Sequence, residues 1–183
     1  LVTAADPPGA LRYLTGTHPR GAYALDAMVE VQNGPPMSPD AVSHYADVGQ
    51  ELLETYFDTA IDVDELDSLE RLDEVVLSEL RTVDDPALSQ DGYVPEEALV
   101  TVGALAGRVM ARAFERDTPA SVQWTANDEI SSTGVVLSVE TPEGDTVDVN
   151  PMGKAFKLFE SGESDSLAFM YQTSERVVRD EMA

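Results

Sequence analysis

The sequence predicts an α+β fold, with a small antiparallel sheet set between helices. Three observations predict it: apolar residues recur at helical spacing over residues 42–60 and 66–80, alternate with period two from 122 to 149, and return to helical spacing after Asn150-Pro151. The expected order is helical hairpin, linker, helix, sheet, then two further helices.

Residues 1–36 stand apart. They hold Asp6, Asp26 and Glu30 against Arg12 and Arg20, one net negative charge, which leaves 23 of the chain's 24 to the rest. Pro7-Pro8, Pro19, Pro35-Pro36 and four glycines mark loop or tail, with one short apolar stretch at 22–31. Met37-Ser38-Pro39-Asp40 follows, where Ser38 suits a helix N-cap and Pro39 the first helical position. Met37 is therefore a candidate natural start, and the preceding residues read as an over-extended frame or a loosely attached arm, with an ordinary flexible terminus as the competing reading.

Residues 37–183 are expected to form one α+β domain, composed of a helical hairpin at 37–83, a linker at 84–94 and a helix-sheet-helix unit at 95–183. In the first helix Val42, Tyr45, Val48, Leu52, Tyr56 and Ala60 share a stripe about six turns long. The second, near 64–82, turns Leu66, Leu69, Leu72, Val76 and Leu80 inward. Asp84-Asp85-Pro86 breaks the pattern. The third helix starts near Pro95, with Glu96 and Glu97 at its positive end and Arg108, Arg112 and Arg116 toward its negative end. Gly103 and Gly107, one turn apart, permit close backbone approach, expected against the sheet.

Val122 and Trp124 mark the first strand, Val135, Leu137 and Val139 the second, Val147 and Val149 the third. Residues 141–145 read as a turn, with Gly144 free to take positive φ. Asn150-Pro151 opens a short helix through Phe156 and Phe159 that stops at Gly162. The last helix begins near Asp165 and points Leu167, Met170, Tyr171, Val177 and Val178 inward.

Composition narrows the chemistry. The 183 residues suffice for one core, and no run approaches the roughly 18 apolar residues of a membrane span. With no cysteine there is no disulfide, thiolate nucleophile or Cys-ligated zinc. Thirty-five Asp plus Glu oppose 11 Lys plus Arg, and only Lys154 and Lys157 of those cations are lysines. Such acid-rich, lysine-poor chains resemble cytoplasmic proteins of salt-accumulating halophiles, and an acidic mesophilic protein is the competing reading. At about 1 M salt the Debye length falls to roughly 3 Å and screens the self-repulsion. No basic face is present to displace counterions from a phosphate backbone, so direct nucleic-acid binding is not expected.

Two candidate sites can be drawn. His44, Asp47 and Glu51 fall at i, i+3 and i+7 on one helix, and with Glu70 or Glu74 from its neighbour they could meet a divalent ion; a plain solvated acidic face is the competing reading. The second pairs Lys154 and Lys157 with the helix start at Pro151-Met152-Gly153, whose free N–H groups suit an anion or an acidic partner. Arg108 and Arg112 would join if the third helix packs alongside. Against this, the lysines can pair with Glu160 and Glu163 or cover apolar surface. No catalytic triad can be drawn from His18 and His44, no phosphate-binding glycine motif occurs, and Trp124 reads as a core residue.

Gly103-Ala104-Leu105-Ala106-Gly107, Trp124, Gly134-Val135-Val136-Leu137, Asn150-Pro151, Lys154, Lys157 and the stretch from Gly162 to Leu167 together resemble an uncharacterised bacterial and archaeal domain family of unknown function over about 95–171. That resemblance implies one unit there, and no activity, cofactor or catalytic residue. The expectation for function is a non-enzymatic binding or protein-interaction module of a halophile cytoplasm, without cofactor and with an unknown protein partner. The alternatives are a metal-dependent hydrolase using His44 and helix carboxylates, and an acidic nucleic-acid mimic that occupies a basic protein.

Overall fold

The computed structural model describes residues 37–82 and 96–182. The expectations for 1–36, for the linker at 84–94 and for Pro95 lie outside the described residues. The elements are helix α1 (Val42–Phe57), α2 (Ser68–Glu74), α3 (Glu96–Asp117), strands β1 (Ser121–Ala126), β2 (Val135–Glu140) and β3 (Thr146–Val149), then α4 (Pro151–Ser161) and α5 (Leu167–Glu181). The fold is α+β, as the change of period requires.

Helix α1 is shorter than its apolar stripe. Pro39–Ala41 forms a single tight turn before it, and Ser38 makes no side-chain cap. At the other end Asp58 turns left-handed, with φ 50°, and its N–H bonds to the Leu53 carbonyl, so Ala60 lies beyond the helix. An Asp side chain tolerates that conformation far better than a branched one does. Helix α2 also begins late, because residues 62–67 form turns: Asp62 Oδ1 accepts from the Asp64 N–H (3.0 Å), and Ser68 Oγ donates to the Asp62 carbonyl (2.7 Å). Its C-terminal extension, Val75–Leu80, is wound more widely and buries Val75, Val76 and Leu80.

Helix α3 is the centre of the molecule. Every residue from 98 to 107 is buried, which is the pattern of a helix enclosed on all sides. Three glycines permit this by letting neighbours approach where a side chain would stand. A Cβ on Gly49 of α1 would lie 2.6 Å from the Thr101 carbonyl oxygen of α3, one on Gly103 would strike the Met152 backbone of α4, and one on Gly107 would strike the Trp124 ring. The expectation that Gly103 and Gly107 face the sheet is therefore half met: Gly107 receives a sheet residue, and Gly103 receives a helix.

The sheet has the order β1-β2-β3, antiparallel throughout, with Trp124 opposite Leu137 and Leu137 opposite Val149. One face carries Val122, Trp124, Leu137, Val139, Val147 and Val149 toward the core. Thr141 to Asp145 close the second hairpin, with Gly144 at φ 94° and the Thr141 N–H on the Asp145 carbonyl (2.8 Å). Residues from α1 through α5 contribute to a single apolar cluster.

Helix α5 lies at the periphery. Leu167, Tyr171 and Val178 are buried, whereas Val177, expected inward, is exposed because it falls off that seam. Tyr171 packs on Phe114 at 4.9 Å between ring centroids, and burial pushes its phenol up to about 12. No helix among the described residues is long and apolar enough to cross a membrane.

Candidate functional site

Two of the candidate cations, Lys154 and Arg108, act as structural ties between elements. Lys154 Nζ lies 2.9 Å from Asp165 Oδ1, both side chains largely covered, so the lysine joins α4 to the turn that leads into α5. That hydrogen bond, more than any other effect, holds the Asp165 carboxyl below its ordinary range. Lys157 is exposed one turn on. The Gly153 N–H is already committed, donating to Asn150 Oδ1 at 2.8 Å in an N-cap, so the helix start offers an external anion one donor fewer.

Arg108 and Arg112 do not join the lysines. Helix α3 does pack against α4, but the Arg108 guanidinium faces α1, donating to the Ser43 carbonyl (2.7 Å) and pairing with Asp47 (2.8 Å). Arg112 meets Glu115 at 3.6 Å. One member of the sequence-derived metal triple, Asp47, is thus engaged by one member of the sequence-derived anion set. His44 is exposed and stacks edge-on to Tyr45, and Glu51 is exposed. Among the described residues no group of three His, Asp or Glu side chains is placed to hold a metal ion.

Sequence reasoning missed two arrangements. Asp73 on α2 is buried and accepts from the N–H groups of Leu167 (2.7 Å) and Ala168 (3.2 Å) and from Ser166 Oγ (2.6 Å), while Ser166 Oγ accepts from the Phe169 N–H (3.1 Å). The carboxylate of one helix thereby caps another, 94 residues along in the case of Leu167, where the helix dipole favours negative charge. Asp73 looked like one more acid on a solvated helix, and only its place on the inward side of α2 distinguishes it.

The second arrangement is the loop between β1 and β2, at residues 127–134. Asn127 and Asn150 hold its tip from two directions. The Ile130 N–H donates to Asn127 Oδ1 (3.2 Å), and the Ile130 carbonyl accepts from Asn150 Nδ2 (3.3 Å). Further bonds run from the Ser131 N–H to the Asn127 carbonyl, from the Gly134 N–H to the Ser131 carbonyl, and from the Met37 N–H to the Thr133 carbonyl. Gly134, at φ 78°, supplies the left-handed residue that returns the chain to β2. Ile130 nevertheless keeps its side chain 53% exposed, flanked by exposed Asp128 and Glu129. A two-residue acid pair followed by isoleucine was visible in the sequence, but the pinning was not, since it depends on Asn150 20 positions away.

Below this tip, Thr125, Ser138 and Asp148 form a hydroxyl-carboxylate chain across three strands, with 2.6 Å at each link, and Asn127 Nδ2 donates to the same carboxylate (3.2 Å). The network ties the loop's first residue to β3. A small pocket lies between α2 and α5, lined by Leu66, Asp67, Glu70, Ala168, Tyr171 and others, with about 90 Å³ of internal space. Drug-sized sites are several times larger.

No family model, curated protein or solved structure matches the chain.

Proposed function

We propose that the protein is a non-enzymatic interaction module that presents Ile130, on the pinned β1–β2 loop, to a protein partner. The observation that carries this reading is that both backbone polar groups of Ile130 are bonded by side chains while its own side chain points to solvent. Binding through such a residue orders little of the loop, so less of the contact energy is lost to entropy. The exposed Asp128 and Glu129 beside it suit a partner whose apolar pocket has a basic rim. We keep the salt-accumulating cytoplasm as its setting and the uncharacterised domain family as its kin. The dispersal of exposed acids over every helix supports that setting.

The hydrolase alternative has less support, because Asp47 is engaged by Arg108. The acidic-mimic alternative needs a continuous acidic face, and no observation favours one over the scattered distribution.

The test is capture of partners in molar salt with the native chain, an Ile130→Asp variant and a Lys154→Ala, Lys157→Ala variant. A partner retained by the native and lysine variants but lost with Ile130→Asp supports the loop. Retention by Ile130→Asp with loss in the lysine variant would move the site to α4.

A further inference from the structure

The chain enters the domain at the loop that presents Ile130. The Met37 N–H donates to the Thr133 carbonyl at 3.0 Å, and the Met37 side chain packs against the core, so residue 36 and those before it join the domain beside the β1–β2 loop. Among the described residues three large apolar side chains are exposed, Ile130, Phe169 and Val177, and Ile130 alone stands on the element to which Met37 is bonded. Residues 1–36 hold one apolar stretch, 22–31, in which Asp26 and Glu30 are the only charged residues. A stretch with Tyr23, Leu25, Met28, Val29 and Val31 gains free energy by covering apolar surface within its reach.

From this point of entry we infer that residues 22–31 cover Ile130 within the same chain, so that the protein carries a competitor for its own partner site. Reach allows the contact. Ile130 is three residues from Thr133 and so stands within about 16 Å of Met37, whereas the six residues from Val31 to Met37 extend up to about 20 Å. The tether selects this occupant over a second copy, because a short tether supplies the stretch at an effective concentration of roughly millimolar. Charge points the same way. Exposed Asp128 and Glu129 flank Ile130 and repel most of a chain of net −24, but residues 1–36 carry only one of those negative charges and place Arg20 next to the stretch.

The functional consequence rests on the Ile130 reading, since cover and partner exclude each other at one side chain. A cover that occupies Ile130 for part of the time raises the partner's apparent Kd by the reciprocal of the uncovered fraction. The partner must displace residues 22–31, and weakening the cover by substitution in that stretch strengthens capture with no change at Ile130 itself.

The chain has no cysteine, so disulfide linking of the full chain, at roughly micromolar concentration in molar salt, tests the contact. Val29→Cys with Glu129→Cys should form an internal disulfide. Adding Ile130→Asn should slow that linking roughly fivefold, because the substitution removes the apolar contact and leaves the tether and the net charge unchanged. Leu25→Asn is the second variant, expected to slow linking to a similar degree from the other side of the contact. Linking indifferent to both substitutions would report the tether alone and overturn the inference, as would links that form only between chains, which assign the stretch to a second copy. Failure of the Ile130 reading has a separate signature, capture of a partner undiminished by Ile130→Asp. A chain that loses its partner with Ile130→Asp but links indifferently keeps that reading and loses this inference.

Discussion

Helices α3 and α5 look alike as patterns, each with valine, methionine and an aromatic residue at helical spacing, but they meet different surroundings. In α3 the apolar set extends round the whole helix, and Gly49, Gly103 and Gly107 bring α1, α4 and Trp124 to contact distance. In α5 a single seam of Leu167, Tyr171 and Val178 is covered, and a distant carboxylate, Asp73, fixes the helix start. One helix is held by shape and the other by a polar cap, which predicts different responses to substitution.

The largest effect should come from closing a glycine contact. Gly103→Ala puts a Cβ into the Met152 backbone, which cannot move aside without displacing α4, and should cost roughly 4 kcal/mol or prevent folding, read by urea denaturation in molar salt. Gly107→Ala meets the Trp124 ring instead, which can tilt, and should cost about 2 kcal/mol with a shift in tryptophan fluorescence. Equal costs at the two positions would break the distinction between backbone and side-chain contact.

Next comes the cap. Asp73→Ala removes the acceptor for two N–H groups and one hydroxyl and should cost about 2 to 3 kcal/mol. Its signature should be local, with faster amide exchange at Leu167 and Ala168 than in α3. Uniform acceleration in both helices would mean that α5 is no more separable than α3.

A smaller effect follows from acid. The Lys154 bond lowers the Asp165 carboxyl, so its contribution is complete above the unfolded Asp value of about 3.9 and is lost as pH falls through the lower folded value. The carboxyl chemical shift of Asp165 should titrate below that unfolded value in the native chain, and the depression should shrink in Lys154→Ala, where only the Ser164 hydrogen bond and the Lys157 charge still lower it. Smallest of all, Val177→Thr should leave stability within about 0.5 kcal/mol, since Val177 is outside the seam.

Much of the fold was legible because it rests on local signals. The strands, the Gly144 turn, the Asn150-Pro151 start and the Gly162 stop all stand where period, turn chemistry and capping place them. The failures were of two kinds. Boundaries of α1 and α2 moved because short-range bonds at Asp58 and Asp62 outweighed a continuing apolar pattern. The candidate site was less legible, since Lys154, Arg108 and Asp47 each found an internal partner on a different element, and the pinning of Ile130 and the cap by Asp73 join residues far apart in the chain. Spacing within one helix could not reveal either.

The proposal that Ile130 is presented on a rigid loop is tested most directly by hydrogen exchange at its own amide. The account predicts slow exchange in the native chain, lost in Asn127→Ala while β2 amides stay protected. Exchange of the Ile130 amide at the rate of an open, unbonded loop in the native protein would contradict it.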